Sequence, residues 1–169
     1  ARGQTWRISE GHINSLGVFG NTENLDALRP EKMGIFLKPE KHIRRDEILI
    51  AAQHQNSLQW SGMATMDSWL RETVYRINQH TDRKIVVRPH PRSPIRGNIA
   101  GVTLEMPKRI PNTYDDFNID YNYHCVINYN SGPAVQGALN GVPVICDSSS
   151  LASEIPLQRL SSHLLKKLS

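Results

Sequence analysis

Only two of the 169 residues are cysteine, Cys125 and Cys146, and aromatic residues make up just 7% of the chain. Two thiols cannot build the disulfide framework of a small secreted scaffold, so the expected setting is a reducing one, the cytoplasm. No apolar run approaches the roughly 20 residues that a membrane-spanning helix needs, so no membrane partner is expected. The first residues, Ala1-Arg2-Gly3-Gln4-Thr5-Trp6-Arg7, have no apolar centre to act as a secretory signal. Internal repeats and low-complexity stretches are missing as well. So are the signatures of several chemistries. There is no Gly-x-x-x-x-Gly-Lys-Ser/Thr loop for phosphoryl transfer, and no Gly-x-Gly-x-x-Gly for a dinucleotide. Without Cys-x-x-Cys or His-Glu-x-x-His a zinc site has no support, and no metal is expected. Gly-x-Ser-x-Gly, the nucleophile turn of many serine hydrolases, is absent too.

What is present suits a globular domain: 38% hydrophobic and 21% charged residues over a length that can bury a core. The balance of 20 Lys+Arg against 16 Asp+Glu gives a mild net charge of +4. The cations are scattered, apart from Arg83-Lys84, the series Arg88, Arg92, Arg96, and the tail Lys166-Lys167. A solvated surface accounts for such a balance. It is equally compatible with an anionic substrate such as a nucleotide, or with DNA as a partner.

Residues 1–46 are polar and irregular, punctuated by Gly17, Gly20-Asn21, Arg29-Pro30 and Lys38-Pro39. The first clear element is the apolar run Glu47-Ile48-Leu49-Ile50-Ala51-Ala52, the pattern of a strand buried on both faces. From Thr65 the period changes: Met66, Trp69, Leu70, Thr73, Val74 and Ile77 recur at steps of three and four, predicting an amphipathic helix. Thr65 or Asp67 can cap its start. Further strands are predicted over 84–88, 102–106, 125–129 and 143–146, and a helix fragment over 161–167. Between the last two strands, Pro133 stands where a first helical residue belongs and Gly141 just past the end. Strands alternating with helices predict an α/β fold, a Rossmann-like parallel sheet flanked by helices, over residues 47–169.

Ligands of such sheets bind beyond the carboxyl ends of the strands, which selects three loops, 53–57, 88–94 and 130–133. In the second, Arg88-Pro89-His90-Pro91-Arg92 leaves a strand with two prolines holding it extended. Alternation along an extended chain puts Arg88, His90 and Arg92 on one side, where two guanidiniums and an imidazole would suit a phosphate or diphosphate. The same residues also make an ordinary solvated loop. In the third, Asn130-Ser131-Gly132-Pro133 opens a helix whose unpaired N–H groups form a ready anion site. Ser131 there either donates to a phosphate oxygen or caps the helix, as serine commonly does. In the first, Gln53, His54, Gln55, Asn56 and Ser57 either touch a phosphate, a sugar or an acceptor, with His54 as the candidate catalytic residue, or make a solvated loop. Trp60 and Met63 beside Gly62 read either as packing residues or as the wall of a moving flap.

The run Lys84-Ile85-Val86-Val87-Arg88-Pro89-His90-Pro91 resembles the His-Pro motif of the sialyltransferase, Kdo-transferase and capsule-synthesis groups of GT-B glycosyltransferases. The segment from Asn130-Ser131-Gly132 through Ala138-Leu139-Asn140-Gly141-Val142-Pro143-Val144 resembles their Ser motif. The likeness covers residues 47–150. The stretch from Gln53-His54 through Trp60-Ser61-Gly62-Met63 to Arg92 also looks like phage-encoded enzymes of this type, some of which decorate hydroxymethylated DNA bases.

This resemblance implies the C-terminal, nucleotide-sugar-binding half of a GT-B fold and a UDP- or CMP-linked sugar as donor. It implies Arg88, His90, Arg92, Asn130, Ser131 and Gly132 as donor-binding residues, with His90 and Ser131 on the donor's phosphate. The acceptor is then a hydroxymethylated base of phage DNA, in the host cytoplasm, or a saccharide. The Glu-x7-Glu pair of many retaining members is not matched, since Gln136 and Asn128 stand near those places. With only 46 residues before the first strand, these 169 residues read as part of a longer two-half enzyme, residues 1–46 being a remnant of the acceptor half. A non-catalytic nucleotide- or DNA-binding module of the same fold is the alternative.

Overall fold

The computed structural model describes residues 26–36, 38–39, 44–57, 60, 64–109, 117–118 and 121–154, with the single positions 10, 11 and 17. The predicted helix fragment at 161–167, Met63 and much of the 1–46 segment lie outside the described residues.

Among the described residues, five strands form one all-parallel sheet: β1 (Ile48–Ala51), β2 (Ile85–Arg88), β3 (Val102–Leu104), β6 (Cys125–Ile127) and β7 (Val144–Ile145). Their order is β3-β2-β1-β6-β7. A short antiparallel ribbon, β4 (Lys108–Arg109) with β5 (Phe117–Asn118), stands apart from it. Every residue of β1, β2 and β6 is buried, as their continuous apolar runs require of strands covered on both faces. The two outer strands are less buried, β3 being mostly exposed and β7 half-buried.

Helix α2 (Met66–Asn78) joins β1 to β2. Its stripe folds as predicted: Met66, Leu70, Val74 and Ile77 are buried, while Trp69 and Thr73 lie at the margin. Thr65 is its N-cap, with Oγ1 accepting the Ser68 N–H at 3.2 Å. This face packs on Ile48, Ile50, Ile85, Val87, Cys125 and Ile127. Helix α3 (Gly132–Leu139) joins β6 to β7, and Gly141 follows it at φ +72°, the left-handed position that glycine adopts without strain. The alternate residues Leu49, Val86 and Val126 form the second core with Val142, Tyr121 and Tyr123. The short helix α1 (Arg29–Lys32) precedes the sheet. Lys38, also from that region, reaches the end of α3, its N–H on the Leu139 carbonyl and its ammonium on Asn140 Oδ1.

The arrangement is Rossmann-like. From β1 the chain crosses to β2 on one side, whereas β6 lies on the other side of β1, so the winding reverses between β1 and β6. Right-handed crossovers in opposite directions place their helices on opposite faces of the sheet. Among the described residues no helix is long and apolar enough to cross a membrane.

Candidate functional site

Register decides which loops meet. Ala51 of β1 pairs with Arg88 of β2, and Ile50 pairs with Ile127 of β6. The three strands therefore end on one row, and residues 52–57, 89–93 and 128–131 leave it side by side. That is the position where the strand order reverses, the usual ligand site of an open parallel sheet. Asn128 closes the row. Its amide donates to the Ala51 carbonyl at 2.7 Å and to Ser131 Oγ at 2.9 Å, while its Oδ1 accepts the Ser131 N–H at 2.7 Å. It is buried, with both side-chain polar atoms engaged.

The same contacts settle what Ser131 does locally. As N-cap of α3 it makes no side-chain capping bond; its hydroxyl lies on Asn128 instead. Pro133 in the first turn carries no N–H, and the Gly132 N–H has no acceptor among the described residues. The positive end of the helix is thus presented outward by a glycine.

The His90 loop departs from the extended form expected of it. The Ser93 N–H returns to the His90 carbonyl at 2.9 Å, closing a turn with Pro91 at its second position, where proline's fixed φ is favoured. Arg88, His90 and Arg92 are therefore not three teeth on one edge. Arg88 is buried, His90 half-buried, and Arg92 exposed. His90 Nδ1 accepts the Arg92 N–H at 3.1 Å, and His54 Nδ1 accepts the Asn56 N–H at 3.0 Å in the same two-residue pattern. A backbone N–H can only donate, so each neutral ring carries its proton on Nε2. The two rings meet edge to face with centroids 5.0 Å apart. Between the loops, the Gln55 N–H donates to Ser93 Oγ, and Gln55 Oε1 accepts the Met66 N–H at the start of α2.

Arg88 enters a closed triangle. Its Nη2 donates to Glu105 Oε1 at 2.8 Å and to Tyr123 Oη at 3.2 Å, and Tyr123 Oη donates to Glu105 Oε2 at 2.8 Å. Partial burial alone would raise the Glu105 carboxyl. The Tyr123 and Arg88 bonds, with the charges of Arg88 and Arg45, outweigh it and hold Glu105 below the usual carboxylate range. Burial and the bond to Glu105 push Tyr123 up to about 12. Arg88 Nε and Nη1 and Tyr121 Oη are buried without a hydrogen-bond partner among the described residues.

Arg88 and Tyr121, but not Glu105 or Tyr123, border a cavity of about 670 Å³. Arg88, His90, Ser131 and Gly132 line it, joined by Tyr121 and by Gln136 on the flank of α3. Of the other residues singled out, His54 stands against His90, behind the lining. Asn130 is buried and turns its amide to Ser149 Oγ at 3.0 Å. Arg92 also falls outside the lining. Sequence reasoning did not select Tyr121, Asn128 or Glu105 as site residues. Tyr121 sits in a stretch without periodicity, and a single Asn or Glu carries no motif.

Two of the remaining candidates, Trp60 and Cys125, are buried packing residues. Trp60 is buried edge to face against Trp69 and Tyr129, with its indole N–H on the Ala64 carbonyl. Burial pushes the Cys125 thiol up to about 12, the state of an unreactive core cysteine, while Cys146 is only half-buried. Among the described residues no group of three His, Cys, Asp or Glu is placed to hold a metal ion. No protein-family model matches the chain, and no curated protein is significantly similar to it.

Proposed function

We propose that the chain is the nucleotide-sugar-binding half of a glycosyltransferase, moving a sugar to a hydroxymethylated DNA base or a saccharide. One arrangement carries the reading: the N-terminus of α3, Ser131, His90 and Arg88 border a single cavity at the reversal point of a parallel sheet. The Gly132 N–H and the His90 Nε2–H are donors, the Ser131 hydroxyl would join them by turning its proton from Asn128 Oδ1, and phosphate oxygens are the acceptors that match them. The α3 dipole and the Arg88 guanidinium would stabilise the charge that builds on the departing nucleotide.

His54 fits a donor's role better than a base's. Its Nδ1 lone pair already holds the Asn56 N–H, and its Nε2 carries the proton. This observation favours a second reading, a nucleotide- or DNA-binding module without turnover. The two part in one experiment: hydroxymethylated DNA and a saccharide panel are incubated with UDP- and CMP-linked sugars, and the products are read by mass spectrometry. A gain of one sugar residue supports transfer and names the acceptor. Binding of a donor by isothermal titration without any gain supports the module. Absence of binding by every donor, with His90→Ala changing nothing, ends the transferase reading, and absence of DNA binding as well ends the module.

A further inference from the structure

Among the described residues, three buried atoms of side chains that line the cavity have no hydrogen-bond partner: Arg88 Nε, Arg88 Nη1 and Tyr121 Oη. Leaving such atoms unpaired costs roughly 1–3 kcal/mol each, more for a charged group, so a fold keeps them only where another contact uses them. The Arg88 side chain is 5% exposed and Tyr121 is 6% exposed. Glu105 and Tyr123 occupy Nη2 alone, which leaves the N–H groups on Nε and Nη1. The guanidinium also lies over the Tyr123 ring, 5.7 Å from its centroid.

These atoms belong to a different wall from the helix terminus. Arg88 ends β2, Gly132 opens α3 after β6, and β1 lies between the two strands. At about 4.8 Å per strand, the two backbones stand roughly 10 Å apart across one cavity. Arg88 shares the sheet face of Val86, and Val86 packs with Tyr121 and Tyr123. Tyr121 and Arg88 both line the cavity. The cavity is therefore bordered by donors on both sides, the Gly132 N–H and Ser131 hydroxyl on one and Arg88 with Tyr121 on the other.

We infer that Arg88 and Tyr121 form a second oxoanion subsite facing the α3 terminus, and that the ligand carries two linked phosphoryl groups, a diphosphate. This rests on the proposed reading and narrows it to nucleoside-diphosphate donors over nucleoside-monophosphate ones. One phosphoryl group takes the Gly132 N–H and Ser131. The other takes Arg88 Nε or Nη1 and the Tyr121 hydroxyl, reached by a small rotation of the two side chains. Because Glu105 already balances the charge of Arg88, the second group is held by directed hydrogen bonds as much as by net charge.

The test uses inorganic pyrophosphate and inorganic phosphate as probes, titrated calorimetrically into the full chain and into Tyr121→Phe. Pyrophosphate is expected to bind at least tenfold more tightly than phosphate. Y121F is expected to reduce that preference severalfold. A tyrosine ultraviolet difference spectrum on adding pyrophosphate to the unmodified chain gives a readout that needs no variant. Equal affinities for the two probes overturn the inference, as does a flat difference spectrum or a Y121F variant that keeps the full preference. If pyrophosphate behaves as expected while no sugar is ever transferred, the subsite stands and the transferase reading falls. Donor turnover with no pyrophosphate preference gives the reverse.

Discussion

The imidazole of His54 stands edge to face against that of His90, 5.0 Å between centroids, and each ring holds through Nδ1 the backbone N–H two residues further on. Two loops from adjacent strands thus use one local device and lean on each other. Each ring is fixed in the tautomer that makes Nε2 a donor.

That geometry separates two jobs of His90. An asparagine side chain can take the Arg92 N–H as Nδ1 does but cannot reach as far, whereas a glutamine amide can place an N–H near the position of Nε2. His90→Ala should weaken nucleotide-sugar binding by about tenfold or more, the weight of one hydrogen bond to a charged group. His90→Gln should recover part of that loss and His90→Asn should not. Calorimetric titration of the three variants checks this, and equal affinities for the Asn and Gln variants would count against a donor role.

Asn128 ties the end of β1 to the start of α3 with both its donors and its acceptor. Asn128→Asp removes the amide that faces the Ala51 carbonyl and Ser131 Oγ and puts a carboxylate beneath the helix terminus. Urea unfolding should show a loss of about 2–4 kcal/mol, from an unpaired buried carbonyl and a buried charge. Phosphate binding should fall in the folded fraction as well. Asn128→Ala should lose stability but add no repulsion.

Glu105 sets an acid limit on stability. Its carboxyl is held below the ordinary value of 4.5 in the folded chain, so the unfolded chain takes up a proton first as pH falls. The stabilisation is fully present above about pH 4.5 and is lost as pH drops through the lowered folded value. Glu105→Gln should flatten that limb of a stability-against-pH curve followed by thermal melting. At neutral pH it should cost about 1–2 kcal/mol, less than a fully buried pair, because the Glu105 side chain is 41% exposed.

Gly137 is packed on the sheet. A Cβ there would lie 3.2 Å from Val144 Cγ2 and 3.4 Å from Val126 Cγ2. Gly137→Ala gains about 1 kcal/mol of helix propensity, and Val144 on the edge strand β7 has room to shift, so its net effect should stay within about 0.5 kcal/mol. Gly137→Val should overpack the contact and lose about 1–3 kcal/mol in chemical denaturation.

Much of the fold was written locally. Ile48-Leu49-Ile50-Ala51 and Ile85-Val86-Val87 are apolar at every position because both faces of a central parallel strand are covered, and the α2 stripe follows the 3.6-residue period of a helix. Capping by Thr65 and the left-handed Gly141 are equally local, each fixed by neighbours within a few residues. His90, Ser131 and Gly132 were legible as candidates because strand ends and a helix start are where a parallel sheet binds.

What no local pattern holds is which of these ends share a cavity, and at what angle. The pairing of Ala51 with Arg88 and of Ile50 with Ile127 decides that, through hydrogen bonds between segments up to 77 residues apart. Pairing turned Arg88 from a loop cation into a buried partner of Glu105 and Tyr123, and the turn at Pro91 moved Arg92 away from it. The same long-range packing brought in Tyr121 and Asn128. The sequence by itself determined the residues that can hold an anion and the elements that carry them. Only the tertiary structure decided their partners, because a buried charge takes its geometry from whatever the rest of the chain places beside it.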